Sequence, residues 1–371
     1  MRCLLITLRS FDYYDDLARA CVENGIEVAC VPGNDLEDGR RILETIQAFR
    51  PHFILNHPIF SVMVSRIGVL KGIPVLHWVV DKLLNRDCLN RSVYGETDLI
   101  LSTYRDDVAK LTALGVRAAY LLNACNIEPV NDGGTKKRYG VSFVGTIELG
   151  VNNYYRRSME HWQRHLSVAT TSQAGMFEVL QQTCDKILLA QQEASCQFQY
   201  RIPELVAAAR ATLDPILRHT GLQPDDLVAL LAKETVFHQR RHFLRAIPTL
   251  DAFGPQDWLV ADLPNVHYHG VVALRASGQV FAASRTNLSL TRIYQLDGLS
   301  DRIFNVLRAR GFLLANRQET MDEVFQEGVD YAAYATVEEM LDKIRFYDSN
   351  PQIRERIAHQ GCEKKKKNHT F

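Results

Sequence analysis

What this 371-residue chain lacks narrows its function before any motif is read. No run approaches the roughly 20 apolar residues needed to cross a bilayer, so no transmembrane segment is expected. The eight cysteines form no Cys-x-x-Cys pair and no metal-finger spacing, which argues against a zinc module or a dithiol redox motif. Charge of one sign is not in excess: Lys plus Arg and Asp plus Glu are 43 each. A general nucleic-acid binder would carry a basic surplus, so that partner is disfavoured. No short internal repeat is found. The opening Met1–Leu8 resembles the start of a signal peptide, but Arg9, Asp12, Asp15 and Asp16 follow with no small-residue cleavage site. It reads instead as a first buried strand. Most cysteines lie in apolar segments and read as reduced core thiols, which gives the expectation of a cytoplasmic location.

The composition, 46% hydrophobic and 23% charged, is that of a globular protein. The length exceeds one ordinary core and predicts two domains. Up to residue 128, short apolar runs alternate with amphipathic stretches. Cys3–Leu8, Ile26–Val31, His52–Asn56, Pro74–Val80, Leu99–Ser102 and Ala118–Leu121 read as strands; Asp15–Glu23, Asp38–Phe49, Val62–Leu70 and Asp106–Leu114 read as helices. Gly25, Gly72 and Gly115 supply helix stops. This alternation predicts a parallel sheet covered on both faces. Residues 126–138 lack periodicity and read as a linker.

A second domain, 139–363, opens on the strand Tyr139–Val144, which ends in Gly145-Thr146. Residues 152–247 are glycine-poor and rich in Ala, Leu and Gln at a period near 3.6, with Pro203, Pro215 and Pro224 dividing them into about four helices. They read as a helical insertion after the domain's first strand. Alternation resumes from Leu250, with strands expected at Val266–Tyr268, Asn287–Leu290, Phe312–Ala315 and near Tyr331–Tyr334. Helices are expected at Ala273–Ala282, Asp301–Ala309, Met321–Gln326, Val337–Tyr347 and Pro351–Gln360. Residues 364–371, with Lys364–Lys367, read as a solvated tail. Two doubly wound halves of this kind hold a ligand cleft at the carboxyl ends of their sheets.

The richest stretch is residues 297–316: a polar loop, a helix start, a glycine stop and a buried strand. Asp297 and Asn305 stand eight residues apart with Arg302 between them. A loop-to-helix junction lets backbone amides and an arginine hold phosphate oxygens. The pieces Val266-His-Tyr-His-Gly-Val271, Asn287–Leu290, Ser300-Asp-Arg-Ile-Phe304, Arg310–Leu314, Val337–Asn350 and Pro351–Ala358 occur in order. Together with Ile73–Asp81 and Val141–Thr146 upstream, they resemble CgeB-like glycosyltransferases over about a third of the chain. The resemblance implies an α/β protein of GT-B type, with two Rossmann-like doubly wound domains facing a cleft and a helical insertion in the second. It further implies a nucleotide-diphosphate-sugar donor held by the C-terminal domain, acceptor contacts from the N-terminal domain, no resident cofactor and no bound metal. The chain offers no Asp-x-Asp and no His/Cys cluster at ligand spacing. It departs from the two glutamates many retaining GT-B enzymes carry here: Asp297 and Asn305 stand in their place, which leaves the stereochemical course open.

Residue by residue, Arg302 is the first candidate, because a guanidinium matches two oxygens of a leaving diphosphate and a cation in a helix's first turn is otherwise slightly unfavourable. Ser300 and Asp301 serve either as caps or as phosphate contacts; Asp297 and Gly298 form a turn that can face ribose or sugar, and Asn305 can hydrogen-bond a ribose hydroxyl. Gly145 and Thr146 offer close backbone approach and free amides. Arg240 and Arg241 end the helical block, and Arg240 is the candidate for reaching a pyrophosphate. His269 and Gly270 follow a strand at the level of base and ribose. On the acceptor side stand His77 and Trp78. Asp81, just past a strand tip, and Asp12, after the first strand, are the candidate bases; His57 is a weaker one, since Pro58 explains it as a turn. The expected activity is metal-independent glycosyl transfer to a hydroxyl on a polysaccharide, lipid, protein or small molecule. A sugar-nucleotide epimerase or hydrolase, an inactive nucleotide-sugar-binding partner subunit, and transfer to DNA are the alternatives.

Overall fold

A computed structural model describes residues 1–7, 14–33, 36–57, 61–84, 88, 90–125, 127, 130, 136–149, 154–167 and 170–368. Contacts divide the chain into two units. Met1–Asn126, Asp297–Asn305 and Lys366–Phe371 form the first; Ile127–Leu296 and Val306–Lys365 form the second.

The first unit runs β1 (Arg2–Thr7), α1 (Tyr14–Glu23), β2 (Glu27–Pro32), α2 (Leu36–Phe49), β3 (Phe53–Asn56), α3 (Val62–Lys71), β4 (Val75–Val79), β5 (Leu99–Ser102), α4 (Arg105–Ala113) and β6 (Ala118–Tyr120). The strands are all parallel, in the order β2-β1-β3-β4-β5-β6. Successive side chains of β1 serve opposite faces, as strand geometry requires. Leu4 and Ile6 pack with Val31, Ile42, Ile54, Val64 and Val75, while Cys3 and Leu5 pack with Leu17, Leu55 and Trp78. A central strand buried on both sides reads as a continuous apolar run, which is why Cys3-Leu-Leu-Ile6 was legible. The α3 helix starts where the Ser61 hydroxyl accepts from Val64 N and stops at Gly72, whose φ of 62° suits glycine.

The second unit begins with β7 (Tyr139–Val144). A helical block follows: α5 (Tyr154–Ser167), α6 (Thr170–Ser195), α7 (Ile202–Ala208), α8 (Arg210–Thr220) and α9 (Pro224–Arg245). Then come β8 (Leu250–Phe253), β9 (Val266–Tyr268), α10 (Ser277–Ala283), β10 (Ser284–Ser289), α11 (Asp301–Arg308), β11 (Leu313–Asn316), α12 (Glu319–Asp322), β12 (Ala332–Tyr334), α13 (Val337–Ser349) and α14 (Pro351–Asn368). Its sheet is again parallel, in the order β12-β11-β10-β7-β8-β9. From β7 the chain first adds strands on one side and then returns to add them on the other. The order therefore reverses between β7 and β10, and the carboxyl ends of these two strands form the switch point where open α/β sheets bind ligands.

The two parallel-sheet, Rossmann-like halves are those expected, and several details differ. Among the described residues the helical block contains five helices with a core of their own, including Met159, Trp162, Leu180, Leu213 and Leu227. Pro224 sits at the first helical position of α9 and Pro203 in the first turn of α7, where the missing N–H is harmless. Pro215 lies inside α8 and does not break it. The strand β8 was not expected: all four of its residues are buried and it shows no alternation. The helix α14 continues through the segment read as a tail, to Asn368. Four cysteines, Cys3, Cys125, Cys184 and Cys362, are buried; Cys30 is exposed, so the core-thiol reading holds for only half of them. Pro129 and Asn131–Gly134 of the expected linker lie outside the described residues.

Candidate functional site

At the switch point of the second unit, three charged side chains meet. Beyond the end of β7, Gly145 N donates to Phe253 O at 2.8 Å and Gly145 O accepts from Trp258 Nε1 at 2.8 Å. These bonds pin the turn that presents Thr146 and Glu148. Thr146 Oγ1 donates to Asp257 Oδ2 at 3.1 Å and accepts from Glu148 N at 2.9 Å. From α9, Arg240 reaches across the Phe143 ring (5.5 Å to its centroid) to donate to the Thr146 carbonyl, and it lies 3.2 Å from Glu148 Oε1. From the loop after β10, Arg292 donates to the same Oε1 through Nε at 3.0 Å and Nη2 at 2.8 Å. Burial disfavours the charged form of Glu148, but Arg292 and Arg240 together hold its carboxyl below the usual range. The Arg240 side chain is only 4% exposed and that of Arg292 29%. One buried and one half-buried guanidinium group at a switch point are suited to a doubly charged anion such as a diphosphate.

Local sequence explains the placement. The α9 helix is fixed at its start by a Gln223–Asp226 capping box and presents Val236, Gln239, Arg240, Phe243 and Leu244 inward, a 3.6-residue repeat that brings Arg240 to the core side. Gly254 must be glycine, because a β-carbon there would lie 2.1 Å from Gly145 O. Of the expected residues, Gly145, Thr146 and Arg240 are thus brought together. His269 is not with them. Its Nε2 meets Asp251 Oδ1 at 2.8 Å, and its ring stacks on Phe253 at 4.7 Å and packs edge-on to Tyr139. Gly270 takes φ 85° and its carbonyl receives Gly254 N at 2.9 Å, a backbone role. Arg241 pairs with Asp262 at 2.7 Å.

The stretch 297–305 was assigned from sequence to the C-terminal domain; its contacts place it in the first unit. Asp297 Oδ1 pairs with Lys82 Nζ at 2.7 Å and its Oδ2 accepts from Asp106 N at 2.9 Å. Gly298 bridges to Tyr104, and a β-carbon on it would sit 2.3 Å from Thr103 O. Leu299 O accepts from Asn123 Nδ2 at 2.9 Å. Asp297 and Gly298 therefore fasten this segment to the loop beyond β4 and to the start of α4. The Ser300 hydroxyl caps nothing: its Oγ is buried and has no hydrogen-bond partner among the described residues. Asp301 Oδ1 accepts from Arg302 N at 2.8 Å, Arg302 is half-buried on the first turn of α11, and Asn305 is 2% exposed.

The acceptor-side residues sit deep in the first unit. His77 is fully buried, with Nδ1 3.1 Å from Asn56 Nδ2 and Nε2 3.8 Å from Asp98, and burial lowers its basicity. Trp78 is 7% exposed and packs at 4.6 Å from the His57 ring. Asp81, by contrast, is exposed just beyond β4. Asp12 lies outside the described residues. Among the described residues no group of three His, Cys, Asp or Glu side chains is arranged to hold a metal, and no helix is long and apolar enough to cross a membrane.

Residues 238–371 match the model of the family described as Glycosyl transferase-like. No curated protein matches the chain. Among solved structures, HepE from Anabaena in complex with UDP and glucose has a TM-score of 0.53 at 10% identity, covering 100% of this chain and 96% of its own. Sucrose-phosphate synthase from Thermosynechococcus elongatus has a TM-score of 0.55 at 11% identity, covering 100% and 95%. BGT of phage T4, in complex with UDP-glucose, has a TM-score of 0.53 at 9% identity, covering 99% and 95%. This is a glycosyltransferase fold. Within it, the sequence reading missed Glu148 and Arg292. The available signal was position: each is a charged residue a few steps beyond a buried strand. Its weight became visible only once β7 and β10 were known to be neighbours.

Proposed function

We propose that the protein is a glycosyltransferase that moves a sugar from a nucleotide-diphosphate donor to a hydroxyl-bearing acceptor. One observation carries the reading: Arg240 and Arg292 converge beside Gly145-Thr146 at the switch point of a glycosyltransferase fold. The Glycosyl transferase-like match, which begins at His238 within α9, and the likeness to proteins crystallised with UDP or UDP-glucose support it. In this mechanism the acceptor oxygen bonds to the anomeric carbon as the bond from that carbon to the diphosphate oxygen breaks. The diphosphate leaves with the electron pair, and the acceptor proton passes to a base. Arg240 and Arg292 stabilise the charge growing on the leaving group, a task that needs no metal ion. Asp81, exposed at the carboxyl end of β4, is the proposed base; Asp12 remains the second candidate, and Arg302 a further contact to the leaving group. Acceptor contacts are assigned to the N-terminal unit.

The test is a panel of nucleotide sugars with hydroxyl acceptors, read by release of nucleoside diphosphate. One donor is expected to be consumed with transfer to acceptor, and Arg240→Ala and Arg292→Ala are each expected to slow it by roughly 10²–10³-fold. Full activity in both variants would remove the proposed site.

A further inference from the structure

The carboxylate between the two arginines is part of the chain itself, and its backbone is unusual. Glu148 takes φ 64°, a left-handed conformation that side chains other than glycine seldom adopt. Such outliers persist where the surroundings over-determine them, and they cluster at ligand sites. Here the Thr146 hydroxyl holds Glu148 N, and the backbone turn delivers one oxygen, Oε1, to Arg240 at 3.2 Å and to Arg292 at 3.0 and 2.8 Å. Both N–H groups of Arg292 that face Glu148 point at this single oxygen, whereas a guanidinium fork bonds best to two oxygens side by side. The pairing is thus a compromise that a ligand with more oxygens improves on.

We propose that Glu148 is a built-in counter-anion that occupies the two arginines until a diphosphate displaces it. This rests on the reading of the same site as a diphosphate site. While the site is empty, the carboxylate keeps two like-charged guanidinium groups together and oriented. Binding is then an exchange: the entering anion must offer more than one carboxylate does. A diphosphate, with oxygens on two phosphorus centres, serves both forks. A monophosphate gains less over the carboxylate it replaces. Glu148 therefore lowers affinity for every anion by the same displacement cost, so a weakly held monophosphate falls below useful binding while a diphosphate, held by both forks, does not.

The experiment is isothermal titration of inorganic pyrophosphate, inorganic phosphate, UDP and UMP into the wild-type protein and Glu148→Gln. Removing the charge is expected to tighten pyrophosphate about tenfold and phosphate by a similar factor. Glu148→Gly, which also relieves the backbone, serves as the second variant should Glu148→Gln fold poorly; the same tightening is expected. Glu148→Asp keeps the charge and is expected to stay near the weaker wild-type affinities. Pyrophosphate binding that is unchanged or weaker in both Glu148→Gln and Glu148→Gly overturns the inference. The two readings fail separately. Nucleotide binding that ignores Glu148 leaves the glycosyltransferase reading standing alone. Pyrophosphate binding that responds to Glu148, with no nucleotide sugar ever consumed, leaves the counter-anion role standing alone.

Discussion

Substituting Gly254 by alanine probes how tightly the site is built. An added β-carbon would lie 2.1 Å from Gly145 O, 2.9 Å from Gly145 C and 2.8 Å from Trp258 Nε1, where real contacts of a β-carbon stay beyond 3.0 Å. Something must move by roughly 1 Å, and the obstacle is backbone, not the end of a flexible side chain. Gly254 cannot retreat freely, because its N–H donates to Gly270 O at 2.9 Å. Gly145 cannot either, since Phe253 O holds its N–H and Trp258 holds its carbonyl. Losing the Trp258 bond costs about 1 kcal/mol and overpacking about 1–3 kcal/mol, so the variant should be about 2–4 kcal/mol less stable. That corresponds to a melting temperature lower by roughly 3–8 °C. The displaced turn also carries the Thr146 carbonyl that anchors Arg240. A misplacement of ~1 Å at a reacting site costs on the order of 10²-fold in turnover. The assays are differential scanning fluorimetry and nucleoside diphosphate titration well below the melting temperature. Gly175→Ala is the control: its β-carbon would meet nothing within 4 Å on the exposed face of α6, and alanine in a helix should stabilise by about 0.5–1 kcal/mol. A Gly254→Ala protein as stable as wild type, with unchanged nucleotide affinity, would refute the packing argument.

Asp107 is fully buried, and burial pushes its carboxyl up to about 6. From about pH 4 to 6 the native state keeps a proton that the unfolded chain has lost, so this group weakens the protein as pH rises through that window. Asp107→Asn should therefore gain on the order of 1–3 kcal/mol at pH 7 relative to its effect at pH 4, measured by urea unfolding at both values. His57 has the opposite slope: burial pushes its imidazole down to about 4, so the unfolded state binds the extra proton and stability falls as pH drops from about 6.5 to 4. His57→Gln should flatten the acid limb of the stability profile, and an unchanged limb would contradict its burial as the neutral form. Arg302→Ala should lower kcat by about 10²-fold or more; an unchanged kcat would remove Arg302 from the chemistry. Asp81→Asn should abolish transfer while leaving nucleoside diphosphate affinity within about twofold, because a base acts on the acceptor. Loss of nucleotide binding in that variant would assign Asp81 to the donor instead.

Much of the fold is legible in the sequence, because central parallel strands such as Cys3–Ile6 and Phe143–Val144 are apolar on both faces and the helices between them carry ordinary stops. Leu250–Phe253 was hidden by its own chemistry. Asp251 interrupts the apolar run, and only the structure shows it satisfied by Gly140 N and His269. Pro215 was over-read as a breaker; the surrounding helical packing, with Leu213, Ile216 and Leu217 buried, outweighs one lost hydrogen bond. The site was half legible. Gly145, Thr146 and Arg240, which meet at the switch point, were named from local pattern, as was Arg302 on the first turn of α11. That Asp297 pairs with Lys82, 215 residues away, is a fact of topology that no local window contains. Glu148 and Arg292 were missed for the same reason, since their meeting depends on β7 lying beside β10.

The central claim is that Arg240 and Arg292 hold the diphosphate of a sugar donor. Its most direct measurement is a thermal-shift series of nucleoside diphosphates against wild type, Arg240→Ala and Arg292→Ala. At 100 times its dissociation constant, the right nucleotide should stabilise wild type by about 2.7 kcal/mol, and that gain should vanish in either variant. Stabilisation of equal size in all three proteins, or none by any nucleoside diphosphate, would contradict the account.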